Sequence, residues 1–450
     1  MNIHIDIPDK VKYLIGRLRD AGYKAYVVGG CVRDSIMGRT PEDWDICTSA
    51  LPEETERCLG LPTIVKNGIK HGTVTVRYEH ESFEITTFRT DGAYSDNRRP
   101  ESVTFVKDIE ADLSRRDLTV NALAYNDEEG LVDCFGGYED LKNGIIRCVG
   151  VPADRYNEDG LRLMRTVRFA SVLGFNIEEN TAAAVHENKE LLRNISAERL
   201  QSELVKLLCG RNAETILLEY PDLIGVFIPE LLKMVGFPQK TPHHCYDVWT
   251  HTVKAISFID NDRLLRLAAL FHDFGKPDCF TEDEFGTAHF HGHPKRSAEL
   301  CREILRRLRF DNKTIDEAEI LIKLHDLRPP AKPKNVRRLL AETGEELFPK
   351  LLELKRADAL AQSSFMRREK LRYVDDLRRV FEQEISSGSA YTVKMLAVNG
   401  SDLISAGFPK GKALGEALNA LLDKVIEGDL PNDRQVLLDY AVNFLRGTGE

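Results

Sequence analysis

The stretch KAYVVGGCVRDSIMGRTPEDWDIC, residues 24–47, combines an apolar run, a glycine pair, a short amphipathic segment and two aspartates. KAYVV is rich in β-branched and aromatic residues, which favours a strand. Gly29 and Gly30 let backbone N–H groups approach an anion, and a helix that starts there favours negative charge at its N-terminus. DWDIC predicts a second strand, with Asp43 and Asp45 on one face, about 6–7 Å apart, and Trp44 in the core.

Two carboxylates on one face of a strand can hold Mg²⁺, which prefers oxygen ligands and keeps water or phosphates in its other positions. Arg33 adds a guanidinium group for phosphate oxygens. The glycine turn matches neither the dinucleotide pattern G-x-G-x-x-G nor the P-loop pattern, so nicotinamide and ATPase chemistry lose their usual support. The combination predicts two-metal phosphoryl or nucleotidyl transfer, and an acidic surface turn is the alternative.

Glu84, in SFEITTF, is a candidate third carboxylate for the same site. It is predicted on a neighbouring strand, where it would complete the catalytic set. A solvent-facing glutamate on an alternating strand explains the same position.

Composition places the chain among globular proteins, with 42% hydrophobic and 30% charged residues in 450. That length predicts two to four domains of about 100–200 residues each. The sequence contains no apolar run of about 20 residues and begins without a signal-peptide layout, so we expect a cytoplasmic protein with no membrane partner. Its nine cysteines form no C-x-x-C pair, which argues against zinc knuckles and disulfides.

The net charge of −10 argues against indiscriminate nucleic-acid binding. Local basic patches at 295–310, 328–338 and 367–379 still allow RNA to bind. Solvated helix faces are the alternative explanation for each patch.

Strand signals fill the first 150 residues, and helical periodicity fills most of the rest. The further strand-like runs are GTVTVRY (72–78), FEITTF (83–88), SVTFV (102–106) and LVDCF (131–135). VRDSIMG and DLSRRDLTVNALAY between them are typical of helices, so we expect an α/β or α+β domain with a single sheet.

Glycine- and proline-rich punctuation predicts four parts of the chain. These are a head (1–150), a neck (151–235), a helical body (236–385) and a helical tail (386–450).

The neck contains NEDGLRLMRTVRF, in which an aspartate and three arginines recur at every third position: Asp159, Arg162, Arg165 and Arg168. This spacing keeps neighbours adjacent on one helix. Cytosine and adenine each present an amino donor beside a ring-nitrogen acceptor, which an accepting Asp159 and a donating Arg162 would match. Uracil and guanine present the opposite polarity. The pair can therefore select C and A without a nucleic-acid template, whereas an ordinary ion pair with solvated arginines is the alternative.

These motifs, in this order, resemble those of class II tRNA nucleotidyltransferases and poly(A) polymerases, within the nucleotidyltransferase superfamily. The resemblance covers most of the chain. It implies an α+β protein, with a polymerase beta-like mixed-sheet head followed by an all-α neck, body and tail. The motif GGCVRDSIMGRTPEDWDICTS implies Mg²⁺ ligands at Asp43 and Asp45 and triphosphate contacts at Gly30 and Arg33.

Three further motifs extend the resemblance. DLSRRDLTVNALAY is similar to the family's sugar-reading motif, which implies a nucleotide contact by Arg116 with Asp117 and Asn121 close by. EDGLRLMRTVRF is similar to its amino-acid template, which implies that Asp159, Arg162, Arg165 and Arg168 meet the incoming nucleotide. AERLQSELVKLL (197–208) resembles the neck helix that supports this template, and 396–432 resembles the tRNA-binding tail. Partner helix packing explains the tail equally well.

The segment 87–106 looks like the flexible loop that CCA-adding members carry. The implied function is addition of C, C and A to the 3′ end of tRNA, using CTP and ATP and releasing pyrophosphate. An A-adding tRNA nucleotidyltransferase or a poly(A) polymerase is the alternative within the family, and no DNA partner is expected.

The body carries a second set of candidate metal ligands. An adjacent His272-Asp273 pair follows the apolar run LAALF, and His251, His325 and Asp358 lie on other predicted helices, so the set is typical of a metal site. It resembles the HD phosphohydrolase domain, which implies a first divalent metal at His251, His272, Asp273 and Asp358. A second metal would use His293 and His325, with His291 competing with His293.

Two hypotheses for the body stay open: an active phosphohydrolase and a retained structural domain. If the body is the active part, the head is a module that binds RNA. This metal phosphohydrolase is the alternative to nucleotidyl transfer from a different class of enzyme.

Overall fold

The computed structural model describes residues 3–65, 71–92 and 102–445. The chain forms two compact units, Met1–Leu232 and Lys233–Glu450. Residues 93–101 of the segment compared with a flexible loop lie outside the described residues.

The first unit is built on a seven-stranded mixed sheet with the order β3-β4-β5-β2-β1-β8-β9. The strands of the unit are β1 (Ala25–Val28), β2 (Ile46–Thr48), β3 (Thr63–Val65), β4 (Thr73–Tyr78), β5 (Glu81–Thr87), β6 (Arg89–Asp91), β7 (Val103–Phe105), β8 (Leu123–Asn126), β9 (Gly130–Asp133), β10 (Ile145–Ile146) and β11 (Asn176–Ile177). The pairing is antiparallel within the large sheet except between β2 and β5, which are parallel. The α+β fold class is thereby confirmed, with small β-pairs added.

Strand β1 is an inner strand of this sheet, between β2 and β8, and all four of its residues are buried. Tyr26 and Val28 pack with Cys47, Phe88 and residues of the segment 109–124 in one apolar cluster. A strand covered on both faces reads as a continuous apolar run, which is how AYVV reads in the sequence.

The sheet register brings three parts of the first site to one edge. The backbone N–H of Val28 donates to the carbonyl of Asp45 at 3.0 Å, so the end of β1 lies beside the start of β2. Ile46 pairs with Ile85 in the parallel β2–β5 ladder, which places Glu84 beside Asp45. Gly29, Asp45 and Glu84 therefore meet at the same edge.

Three local expectations from the sequence are wrong. Strand β2 begins only at Ile46, so Asp43 and Asp45 lie in the segment before it, and Trp44 is half-buried rather than in the core. The sheet is not single, since β6 pairs only with β7 and β10 only with β11. DLSRRDLTVNALAY forms a helix, a 3-10 turn and strand β8 instead of one helix.

The helices of the first unit are α1 (Asp9–Asp20), α2 (Gly30–Ile36), α3 (Pro52–Leu59), α4 (Ile109–Ser114), α5 (Gly137–Asn143), α6 (Pro152–Glu158), α7 (Leu161–Leu173), α8 (Glu179–Asn188), α9 (Ala197–Leu208), α10 (Ala213–Glu219) and α11 (Pro221–Gly225). The spacing predicted that Asp159 lies on the same helix as the three arginines, and this prediction is wrong. Asp159 has extended φ/ψ angles of −140° and 105° in the break between α6 and α7. Its side chain accepts a hydrogen bond at 3.1 Å from the N–H of Leu161, the first residue of α7, and so satisfies one of the N–H groups at the start of that helix.

The second unit is helical, with a single small β-pair, β12 (Thr281–Glu282) and β13 (Ala288–His289), among its described residues. Its helices are α12 (Val248–Ser257), α13 (Arg263–Phe271), α14 (His293–Arg307), α15 (Asn312–Leu324), α16 (Pro333–Ala361), α17 (Arg367–Ser386), α18 (Gly400–Ser405), α19 (Lys412–Glu427) and α20 (Arg434–Tyr440). Helix α16 breaks at Gly344, whose φ of 66° lies outside the helical region. Residues 390–441 enclose an apolar cluster of their own.

No helix in the described part of the chain has both the length and the apolar character needed to span a membrane.

Candidate active site and candidate metal centre

A cavity of about 560 Å³ lies at the sheet edge and holds the three predicted carboxylates. It is lined by Glu42, Asp43, Trp44, Asp45, Thr75, Glu81, Ser82, Phe83 and Glu84. Carboxylate oxygens are the ligands that Mg²⁺ prefers, so this donor set fits a divalent cation. Among the described residues, Asp43, Asp45 and Glu84 are not a set whose ligand atoms all lie within 4.8 Å of one another.

Asp45 lies near groups of both charges in this site. Loss of water around its carboxylate raises its pKa, although part of the residue stays exposed. The Arg116 guanidinium lowers the pKa, and the negative charges of Glu84 and Asp43 raise it. Asp45 therefore lies in the electrostatic range of one cation and two further carboxylates.

The glycine turn holds two arginines close to this edge. Gly29 has a φ of 80°, which favours glycine, and a Cβ atom there would lie 3.0 Å from Nη1 of Arg116. Arg33 is buried and donates to Asn121 Oδ1 at 2.6 Å and to both carboxylate oxygens of Asp34. Arg33 and Arg116 are thus near the turn, and Arg33 is already oriented by the protein.

The side chains of Asp159 and Arg162 each bind other residues of the protein and keep part of their hydrogen-bonding capacity. Oδ1 of Asp159 accepts from Leu161 and Arg199, and Oδ2 accepts from Arg199 at 2.6 Å. Arg162 donates through Nη1 to Glu158 and to the carbonyl of Arg155 at 3.3 Å, and through Nη2 to the carbonyl of Arg115 at 2.9 Å. A carboxylate has about four acceptor sites and a guanidinium about five donors, so both groups can still bind a base edge.

Arg165 and Arg168 have acidic partners in the protein. Arg165 Nε donates to Asp117 Oδ2 at 2.6 Å. Burial alone would raise the pKa of Asp117, but the Arg165 guanidinium lowers it to about 2. Arg168 is only 8% exposed and donates to Glu203 Oε2 at 2.8 Å. Its guanidinium lies 3.5 Å from the ring centroid of Phe169.

Sequence reasoning did not identify Glu158, Arg199 and Glu203 as partners of the arginine-rich helix. Arg199 and Glu203 lie on α9, in the motif compared with the neck helix, and hold Asp159 and Arg168. The sequence did contain a signal for two of these partners: Arg199 and Glu203 are charged residues four positions apart in the otherwise apolar pattern of α9. Spacing along the chain does not show which partner such charges face.

The six predicted ligands of the second unit converge. Across the described residues, two sets of three ligand residues have all their ligand atoms within 4.8 Å of one another: His251, His272 and Asp273, and Asp273, His293 and His325. Asp358 Oδ1 lies 3.1 Å from His251 Nε2. His291 is in neither set and stacks on His289, with 5.6 Å between ring centroids. The geometry therefore favours His293 over His291.

Hydrogen bonds orient the imidazoles of this cluster. Nδ1 of His272, His293 and His325 lies 2.6–2.8 Å from the carbonyls of Ala269, Phe290 and Ile322. A donor at Nδ1 leaves Nε2 of a neutral ring as a lone pair, and these Nε2 atoms face Asp273. Both carboxylate oxygens of Asp273 are buried, and Oδ2 lies 2.7 Å from Nζ of Lys276 in an ion pair. Lone pairs that face buried carboxylate oxygens fit a site for cations, with Asp273 shared by both sets.

Comparison with known families covers both units. Residues 25–147 match the poly(A) polymerase head domain family. Residues 174–234 match the RNA and SrmB-binding site of polymerase A, and residues 289–441 match domain 2 of tRNA nucleotidyltransferases.

Individual relatives are similar over nearly the whole chain. The CCA-adding enzyme of Geobacillus kaustophilus is 36% identical over 436 residues, covering 94% of this chain and 93% of the relative. That of Lactobacillus helveticus is 35% identical, with 97% of each chain covered. The crystal structure of the Bacillus stearothermophilus CCA-adding enzyme in complex with CTP has a TM-score of 0.68 and 31% identity, with 96% of this chain and 97% of that chain covered.

The Arg168–Glu203 ion pair predicts a stability effect. Glu203→Ala leaves a buried guanidinium without a partner, so the free energy of unfolding should fall by about 3–5 kcal/mol in urea titrations. The double variant Arg168→Met with Glu203→Leu should recover much of that loss. Glu187→Ala, at an exposed position of α8, is the control and should change little. A Glu203→Ala protein as stable as the control would contradict this assignment.

Proposed function

The chain belongs to the CCA-adding enzyme family of tRNA nucleotidyltransferases, and we propose that Asp43 and Asp45 perform its transfer step while Asp159 and Arg162 choose the base. The enzyme adds C, C and A to the 3′ end of tRNA from CTP and ATP and releases pyrophosphate. The observation that carries this proposal is the sheet edge where Asp45 lies in the electrostatic range of Arg116 and of the carboxylates of Asp43 and Glu84. A-only addition and poly(A) synthesis fit the named relatives less well.

Asp43 and Asp45, with Glu84 as a third carboxylate, would hold a divalent metal, for which we propose Mg²⁺. When bound, such metals activate the attacking hydroxyl and stabilise the leaving phosphate. The acceptor 3′-hydroxyl has to reach this metal. The carboxylates therefore determine that the hydroxyl must lie at the same edge of the sheet.

Gly30, Arg33 and Arg116 would hold the triphosphate. Gly30 begins α2, and Arg33 is fixed by Asn121 and Asp34. A guanidinium fork matches phosphate oxygens, and pre-oriented donors lose little entropy when the ligand binds.

Asp159 and Arg162 would read the Watson–Crick edge of the incoming base. Asp159 accepts from the amino group of cytosine or adenine, and Arg162 donates to the adjacent ring nitrogen. Arg199 orients Asp159 through two hydrogen bonds, of 3.1 and 2.6 Å. Arg165 and Arg168 have protein partners in this structure, so we propose that Arg165 supports Asp117 and that Arg168 supports α7.

The substrates, tRNA and nucleoside triphosphates, are cytoplasmic molecules, so we propose that the protein works in the cytoplasm. The tail, residues 386–450, is our candidate for a tRNA-binding region.

A second activity is favoured by one observation, the convergence of His251, His272, Asp273, His293, His325 and Asp358. We propose that the second unit is an HD-type domain that hydrolyses phosphate esters with one or two divalent metals. Mixed imidazole and carboxylate donors suit transition metals such as Mn²⁺, Fe²⁺ or Zn²⁺. Lys276, Arg328 and Lys370 line the adjacent cavity of about 260 Å³ and can attract a phosphate.

Removing either metal carboxylate should stop the transfer. We expect Asp43→Asn and Asp45→Asn to lower incorporation of labelled CTP and ATP into tRNA about a thousandfold or more, because metal stabilisation is worth several kcal/mol. Filter binding should show unchanged affinity for tRNA. Glu53→Gln, an equal change of charge on α3, is the control and should keep full activity. Retained activity in both aspartate variants would exclude this site.

Base choice should depend on Asp159 and, through it, on Arg199. In single-turnover assays, Asp159→Ala should lower the preference for CTP over UTP about five- to hundredfold, the range for one base-edge contact. Arg199→Met should shift the preference in the same direction by less. An unchanged CTP to UTP ratio in both variants would count against the assignment.

The second unit should hold metal independently of the transfer site. His272→Ala should lower bound transition metal after dialysis and abolish Mn²⁺-dependent hydrolysis of bis-p-nitrophenyl phosphate, while nucleotide addition continues. His186→Ala, an exposed histidine of α8, is the matched control. Equal metal content in the two variants would exclude the HD site.

A further inference from the structure

We propose that the Trp44 indole binds the last base of the tRNA acceptor by stacking, so that Trp44 positions the 3′-hydroxyl at Asp43 and Asp45. The inference rests on the proposed transfer site. It assigns a role to a residue that the sequence alone placed in the core.

Trp44 lies in the wall of the transfer cavity. It is half-buried, follows Asp43 and precedes Asp45, and the segment 43–45 is not part of a strand. Phe83 lines the same cavity. An aromatic side chain between two candidate metal ligands leaves an apolar surface within one residue of the reacting groups.

The charge of the cavity indicates what can enter beside Trp44. Its lining residues include five carboxylates, Glu42, Asp43, Asp45, Glu81 and Glu84, and no lysine or arginine. A phosphate group would be repelled there unless cations intervened. A nucleobase is uncharged and presents a flat face, which stacks on an indole ring.

The other parts of the reaction already have places. Arg33 and Arg116, near the glycine turn, suit the triphosphate, and Asp159 and Arg162 suit the incoming base. Arg33 is linked through Asn121 to the segment that contains Asp117, the partner of Arg165. The incoming nucleotide therefore belongs beside these arginines, which do not line the carboxylate cavity, and that cavity is left for the acceptor end.

Stacking also suits the acceptor chemically. The acceptor ends in a different nucleotide before each addition. It is first the last nucleotide of the incomplete tRNA, then the first added C, and then the second added C. A contact that reads base edges would favour one of these ends, whereas stacking on an aromatic ring tolerates every base. One indole can therefore serve all three additions.

Fluorescence can detect this contact directly because the chain has just two tryptophans, so replacing the other one leaves Trp44 as the only emitter of its kind. Trp249 is 2% exposed and lies in the second unit. In Trp249→Phe, emission comes from Trp44 alone. We expect a tRNA lacking its terminal A to quench this emission without any nucleotide present, and the same tRNA with an abasic last nucleotide to quench it much less. Equal quenching by both RNAs would overturn the proposal.

Kinetics separate stacking from a packing role. Trp44→Leu should raise the KM for tRNA about five- to hundredfold and leave the KM for CTP and ATP unchanged at saturating tRNA. Trp44→Phe keeps an aromatic face and should stay close to the wild type. The abasic acceptor should be a poor substrate for the wild type and for Trp44→Phe, and no worse than normal tRNA for Trp44→Leu.

A Trp44→Leu protein that still prefers the base-bearing end would overturn the proposal. Loss of nucleotide addition by the wild-type chain would instead contradict the proposed function. If Trp44→Leu fails to fold, the quenching experiment on Trp249→Phe decides alone.

Discussion

Hydrogen bonding between β1 and β2 is the constraint on which the transfer site depends. The two strands are antiparallel, so the glycine turn after Val28 lies next to Asp45 at the start of β2, with 3.0 Å between the Val28 nitrogen and the Asp45 oxygen. The parallel pairing of β2 with β5 adds Glu84 at the same edge. One register thereby brings together a turn that can face phosphates and carboxylates that can face a metal. A slip of one residue would turn the side chains of β2 to the other face of the sheet.

Charges of opposite sign occupy different places near Asp45. Arg33 and Arg116 lie beside the glycine turn, whereas Glu42, Glu81 and Glu84 line the cavity, which neither arginine lines. In the neck, α9 holds Asp159 through Arg199 and Arg168 through Glu203. In our proposal, base choice and bond formation use different elements of one unit, and Arg199 on α9 orients Asp159 for base choice.

Motif positions could be predicted from the sequence, whereas partners and local conformations could not. The apolar run AYVV predicted β1, and the glycine pair predicted the start of α2, because both depend on local preferences. The prediction that Trp44 is a core residue was wrong, since β2 starts after Asp45 and the alternation of a strand does not extend to residue 44. Asp159 was predicted on a helix, but Gly160 follows it and the chain breaks there before α7. Arg199 and Glu203 needed the packed structure, because their partners are distant in the chain. In the second unit, the six predicted ligands converge, yet only the structure favours His293 over His291.

The central claim is that side chains of the neck choose the base while the sheet edge performs the transfer. A crystal structure of this chain with CTP tests it most directly. The account predicts an oxygen of Asp159 about 3 Å from the exocyclic amino nitrogen of cytosine, Arg162 at a similar distance from the ring nitrogen, and the triphosphate beside Gly30 and Arg33. A cytosine bound away from Asp159, or a triphosphate bound outside the glycine turn, would contradict it.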